Sequence, residues 1–202
     1  MAQQTKKDNS TFSKKLSLRR SALKQVENPV IMETHGGNGK LFERCYAYCL
    51  NGVVFEKDPK KANRLSEQRP TWAVYEGDCI QALESGIGTH LDINFLDIDP
   101  YGSPWDVVDA FFASPRNLPN TLHIVVNDGL RQKVQINSST VKQLASIVAK
   151  YGDKLYPNYL EVCQILMDEK ASKAGYNLTR WHGYYCGHGS NMSHYWQSQT
   201  LN

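Results

Sequence analysis

Five short apolar runs, at Pro29–Glu33, Val53–Phe55, Trp72–Tyr75, the stretch ending at Ile98 and Leu122–Val126, are separated by longer stretches with turn residues and helical spacing. Runs this short and this far apart cannot be joined by tight hairpins. Each return has to cross over the sheet, which makes neighbouring strands parallel and puts helices on both faces. The carboxy-terminal part differs. Asn177–Cys186 and Met192–Leu201 are aromatic-rich extended stretches joined by Gly187-His188-Gly189-Ser190-Asn191, the pattern of a terminal antiparallel hairpin. The expected class is therefore α/β, a mostly parallel sheet closed by a hairpin.

The connections carry their own signals. After the first run comes Glu33-Thr34-His35-Gly36-Gly37-Asn38-Gly39-Lys40, then Leu41, Cys45, Tyr48 and Cys49 at helical spacing, with Asn51-Gly52 as a stop. Strand, glycine loop and helix in that order let the backbone approach a ligand and aim free N–H groups at it. Glu56, closing the second run, sits where a nucleotide-binding βαβ unit places the carboxylate that accepts ribose hydroxyls. Pro59 opens a helix that closes at Arg69-Pro70. Asp78 either caps a helix over Ile80–Leu83 or meets an adenine amine. Val107 to Phe112 form a helix ended by Ser114-Pro115, and Val141–Val148 and Tyr159–Met167 read as two more.

The fourth strand ends in Asp97-Ile98-Asp99-Pro100-Tyr101-Gly102-Ser103-Pro104. Alternation puts Asp97 and Asp99 on one face, Leu96 and Ile98 on the other. At the carboxyl edge of a central parallel strand, Asp99 would enter the crevice where such sheets bind ligands. Pro100 ends the ladder and leaves carbonyls free, and Tyr101 adds a flat ring. A carboxylate, a carbonyl and an aromatic plate suit a planar base with an exocyclic amine. Ser103-Pro104-Trp105-Asp106 also reads as a helix start, with Ser as N-cap, Pro at N1 and Asp at N3, which leaves Asp99 and Tyr101 unexplained.

Charge is uneven. Residues 1–28 hold Lys6, Lys7, Lys14, Lys15, Arg19, Arg20 and Lys24 against Asp8 and Glu27, while the whole chain is only +3. A basic, partly disordered arm over 1–28 ahead of a domain over 29–202 suggests a phosphate tether, with Lys14, Lys15, Arg19 and Arg20 as its contacts. Leu16–Leu23 is its helical part, laying Leu16, Ala22 or Leu23 on the body. Asp128 and Arg131 are weaker candidates to line a substrate pocket. No apolar run is long enough to span a membrane, no apolar leader follows the start, and five cysteines without paired spacing fit a reducing compartment, so a cytoplasmic protein is expected. His182, Cys186, His188 and His194 lack the paired spacing of a zinc site, so no metal is expected. Cys45 and Cys49 share a helical face and read as core. The hairpin rings Trp181, Tyr184, Tyr185, Tyr195 and Trp196 read first as sheet packing and second as a stacking platform.

These motifs together resemble the class I S-adenosylmethionine-dependent methyltransferases over residues 29–202. The resemblance implies a Rossmann-like seven-stranded fold and S-adenosylmethionine as cofactor. It implies cofactor contacts at Glu33, Gly36, Gly37, Gly39, Glu56, Lys57, Gly77, Asp78, Cys79 and Asp99, with Asp99, Pro100 and Tyr101 as the catalytic set. His35 stands where the family has its first loop glycine, either as a cofactor contact or as a plain loop residue. Asp99-Pro100-Tyr101-Gly102 resembles the motif of tRNA N2-guanine dimethyltransferases and, more loosely, the Asp-Pro-Pro-Tyr motif of N6-adenine and rRNA N2-guanine enzymes. The latter are also similar at Val53–Asp58. The expected reaction is methyl transfer to an exocyclic base amine, RNA favoured. The tRNA enzymes carry an extra RNA-binding domain that these residues do not include, so DNA stays open. The alternatives are protein or small-molecule N-methylation, or a catalytically silent binding subunit. A dinucleotide dehydrogenase needs a third glycine where this chain has Phe42. The number of methyls added and the oligomeric state are left open.

Overall fold

The computed structural model describes residues 11–137, 144, 150–190 and 192–201. The helix expected over 141–148 lies outside these except for Leu144. In chain order the elements are α1 (Phe12–Leu23), β1 (Val30–Glu33), a π-helical turn (Phe42–Tyr46), β2 (Asn51–Glu56), α2 (Pro59–Gln68), β3 (Ala73–Glu76) and α3 (Cys79–Glu84). There follow β4 (Phe95–Ile98), α4 (Trp105–Ala113), β5 (Thr121–Asp128), α5 (Leu130–Asn137), α6 (Tyr159–Lys173), β6 (Tyr176–Cys186) and β7 (Met192–Leu201).

One seven-stranded sheet runs β3-β2-β1-β4-β5-β7-β6. The first five strands pair in parallel, and β7 pairs antiparallel with both β5 and β6. The chain steps outward from β1 to β3, then returns to lay β4 on the other side of β1. At that reversal the loops after β1 and β4 diverge to opposite faces and open a crevice at the carboxyl edge. The glycine loop and Asp99 both stand there.

The strands bury both faces. Met32, Val53, Phe55, Leu96, Ile98, Ile124 and Val126 pack under residues of α3, α4 and α6. Ile31, Val54, Phe95, Val125 and Trp196 face the residues of α1, the π-turn and α2. Leu96 and Ile98 thus lie opposite Asp97, as alternation requires.

Two local expectations shift. The helix after the glycine loop widens into a π-turn, so Phe42 and Tyr46 join the core beside Cys45 while Tyr48, expected on the apolar stripe, is 69% exposed. The wider turn advances the buried face away from 3.6-residue spacing. Helix α4 begins at Trp105, not Pro104; the Ser103 hydroxyl still accepts the Trp105 N–H at 3.3 Å.

Candidate functional site

Five segments converge on the carboxyl edge near β1 and β4. After β1, the Gly36 N–H donates to the Phe55 carbonyl (2.9 Å), tying the loop to β2. A side chain at Gly36 would collide with Leu65 and Val54 at 2.5–2.6 Å, and one at Gly39 with Gln68. Those two glycines let the loop close onto α2. Gly37 differs: its φ of +55° favours glycine, and the space where its Cβ would stand is open. The space beside Gly77, in the turn after β3, is open as well.

Glu56 lies beside these openings. Its carboxylate accepts N–H groups from Gly37 (2.7 Å) and Asp58 (2.9 Å), and the Gly77 N–H donates to the Glu56 backbone carbonyl at 2.9 Å. Asp78 caps α3 through the Ile80 and Gln81 N–H groups, and Lys57 approaches its second oxygen at 3.7 Å. His35 spans the crevice between the Thr34 hydroxyl (2.9 Å) and Cys79 Sγ (3.8 Å). Burial lowers its pKa despite the surrounding carboxylates, so its ring is neutral near pH 7. Open glycine faces flanking a carboxylate, with a second acid one strand over, fit the sugar and base of an adenosine-type cofactor. Gly37, Glu56, Gly77, Asp78 and His35 are the residues able to hold one.

The motif after β4 is on the other side of the crevice. Asp99 keeps 17% of its side chain exposed, and Lys15 of α1 donates to both its oxygens, at 2.8 and 3.0 Å. Burial alone would raise the pKa of Asp99, but Lys15 and Arg19, 4.0 Å away, outweigh it and hold the carboxyl below its usual range. Tyr101 is fully exposed, and Gly102, with open space at its Cβ position, follows it.

Several expected contacts belong to the interior instead. Glu33 is fully buried against Arg69 (2.6 Å), which lies over the rings of Phe42 and Trp72. Burial, only partly offset by Arg69, pushes Glu33 up to about 7. Its carboxylate is enclosed, with no surface open to the crevice. Arg19, expected on phosphate, is wholly enclosed and forks onto Asp97 at 2.5 and 2.7 Å. The cause is α1, which lies across the sheet instead of extending from it, with Leu18, Ala22 and Leu23 buried. Asp128, expected to line a pocket, is buried under Tyr159 (2.9 Å) and the Leu130 N–H (2.8 Å). Arg131 is sandwiched between Tyr156 and Tyr185, with centroids 3.9 and 3.8 Å from its guanidinium. Lys14 and Arg20 remain exposed, Arg20 bonded to the Arg44 carbonyl at 2.8 Å.

Sequence reasoning missed Tyr46, whose hydroxyl donates to Asp97 at 2.5 Å, and Asn127, in contact with Asp99 and Arg19. No local signal reveals either residue, because Tyr46 lies 51 residues from Asp97 and Asn127 lies 108 from Arg19 in the chain. Cys186 and His194 touch at 3.2 Å, but among the described residues no group of three or more acids, histidines and cysteines is placed to hold a metal. Nor is any described helix long and apolar enough to cross a membrane.

Comparison with solved structures returns the same architecture. Trm1 from Pyrococcus horikoshii, solved with S-adenosyl-L-methionine, superposes with a TM-score of 0.70 at 10% identity, over 95% of this chain and 55% of that one. The N-methyltransferase NodS from Bradyrhizobium japonicum gives 0.64 at 9% identity over 97% and 99%. TYW2 from M. jannaschii, solved with AdoMet, gives 0.58 at 12% identity over 93% and 76%. The chain thus spans about half the length of Trm1 and nearly all of NodS. No protein-family model matches the sequence, and neither does any curated protein. The fold is the Rossmann-like fold of class I methyltransferases.

Proposed function

We propose that this chain is an S-adenosylmethionine-dependent N-methyltransferase acting on an exocyclic amine of a nucleic-acid base, guanine N2 or adenine N6, in RNA before DNA. The observation that carries the reading is Asp99-Pro100-Tyr101-Gly102 at the carboxyl edge of the central strand, across the crevice from Glu56 and the open face of Gly37.

When bound, S-adenosylmethionine supplies an electrophilic methyl carbon and its own thioether leaving group. Glu56 would accept the ribose hydroxyls, and Asp78 and His35 would flank the adenine. An exocyclic amine is a weak nucleophile because its lone pair is delocalised into the ring. Asp99 and the Pro100 carbonyl, accepting its two N–H groups, draw the nitrogen toward tetrahedral geometry and leave the lone pair facing the methyl carbon. Once methylated, the amine nitrogen carries a surplus proton, which Asp99 would accept and pass to water. Lys15 Nζ, bonded to both Asp99 oxygens, stands where those amine donors would stand and has to yield to them. Tyr101 stacks on the base. Most of the rate gain is alignment, for which about 7–11 kcal/mol is available.

The test is transfer of radiolabelled methyl to total RNA and to DNA, followed by nucleoside analysis. Label in N2-methylguanosine or N6-methyladenosine is the expected result. Label confined to protein would move the substrate assignment to protein N-methylation, and no label despite cofactor binding would leave a silent subunit.

A further inference from the structure

A second concavity of about 500 Å³ lies between α1 and the β6–β7 hairpin, outside the crevice. Lys14, Ser17, Leu18 and Ser21 face it, at i, i+3, i+4 and i+7 on α1. The face that α1 packs on the sheet is Leu18, Arg19, Ala22 and Leu23, all buried. Lys14, Ser17 and Ser21 stand exposed on the flank of that face, and the two serines are too short to fill the space beside the hairpin, so a cleft remains. The opposite wall is aromatic: Tyr184, Tyr185 and Trp196, with His182 beside them. The Trp196 indole N–H is enclosed and has no acceptor among the described residues. The Tyr184 hydroxyl donates to the Lys14 carbonyl at 2.8 Å, and Lys14 Nζ stands 6.0 Å from that ring. The next residue, Lys15, holds Asp99, so the cleft begins one peptide from the proposed reaction site.

We infer that this cleft is a nucleotide subsite of the substrate strand. One base would stack against the hairpin rings, with its phosphate on Lys14 and its polar edge on the serine hydroxyls, while a nearby base of the same strand reaches Asp99. Aromatic faces take any base, a lysine supplies the phosphate charge, and the volume lies in the range of small-ligand pockets. The substrate class it selects is single-stranded polynucleotide, because a stacked, splayed base is not available in a duplex. The inference rests on the methyl-transfer reading for its link to Asp99, but the cleft is tested by binding alone.

The measurement is anisotropy of fluorescently labelled hexaadenylate against the full chain, repeated over a salt series, with adenosine as the phosphate-free competitor. Ser17→Phe and Ser21→Leu, each filling the cleft, are expected to weaken binding at least tenfold while calorimetric affinity for S-adenosylmethionine is unchanged. Lys14→Gln is expected to flatten the slope of log affinity against log salt by about 0.7, one phosphate on a single strand. Thermal unfolding identifies variants that fold. Wild-type hexaadenylate affinity in both folded cleft variants, or no binding to the wild-type chain, overturns the subsite and leaves methyl transfer standing. Loss of hexaadenylate binding in the cleft variants, in a chain that methylates no nucleic acid, sinks the substrate assignment and keeps the cleft.

Discussion

Asp97 and Asp99 are two residues apart on one face of one strand, and each is paired with a cation from α1. Their surroundings are opposite. Asp97 is fully buried and saturated, with Arg19 forked on both oxygens and the Tyr46 hydroxyl on one of them. Asp99 emerges where the strand ends and is held by a lysine whose own side chain is 18% exposed. A planar fork enclosed by protein fixes geometry, whereas a compact ammonium at the edge of water can be displaced. The same helix thus anchors itself through the inner acid and covers the outer one, and depth alone separates an enclosed pair from one at the edge of water.

Breaking the inner pair should have the largest effect. Arg19→Ala leaves Asp97 buried without its counter-charge and is expected to cost about 3–5 kcal/mol of stability, measured by urea unfolding. An apolar double replacement, Arg19→Met with Asp97→Leu, should recover much of that loss; equal destabilisation in both would show that the ion pair is not what α1 depends on. At the outer acid the expected damage is kinetic. Asp99→Ala should reduce methyl transfer by at least about 10²–10³-fold, equivalent to roughly 2.7–4 kcal/mol by analogy with loss of one preorganised polar group, with its melting temperature near wild type and cofactor affinity retained. Full activity in that variant would remove the mechanism.

Tyr101→Ala sharpens the contrast further out, since an exposed ring contributes nothing to the core. Loss of one stacking partner should weaken substrate binding by about 1–3 kcal/mol without lowering stability. The smallest effect is a pH shift. Asp99 is held low by Lys15, so its carboxylate persists to more acid pH than an isolated one would. In Lys15→Met that attraction is gone and the Asp99 pKa rises. The acid limb of the rate profile should therefore move to higher pH, with activity lost sooner as pH falls. An unmoved limb would show that Lys15 is not the group that sets it.

Much of this architecture was legible before folding. Short apolar runs separated by helical spacing required crossovers, hence parallel strands, and the aromatic pair at the end read as the hairpin that became β6 and β7. Gly36 to Gly39, Glu56 and Asp99 were visible because turns, strand ends and loop glycines are local constraints, written within a few residues. The π-turn was not, because 3.6-residue spacing and a widened turn look alike over one stretch until Tyr46 and Phe42 pack against Trp72.

Sequence by itself determined the order of elements, the faces of each strand and the residues at the crevice edge, since those follow from period and sterics along the chain. Only tertiary structure decided which charges were spent inside. Arg19 and Lys15 are both basic residues of one helix, four positions apart, and nothing near them in sequence marks one for Asp97 and the other for Asp99. That assignment comes from contacts across 78 and 84 residues, where burial turns one cation into an anchor and leaves the other at the edge.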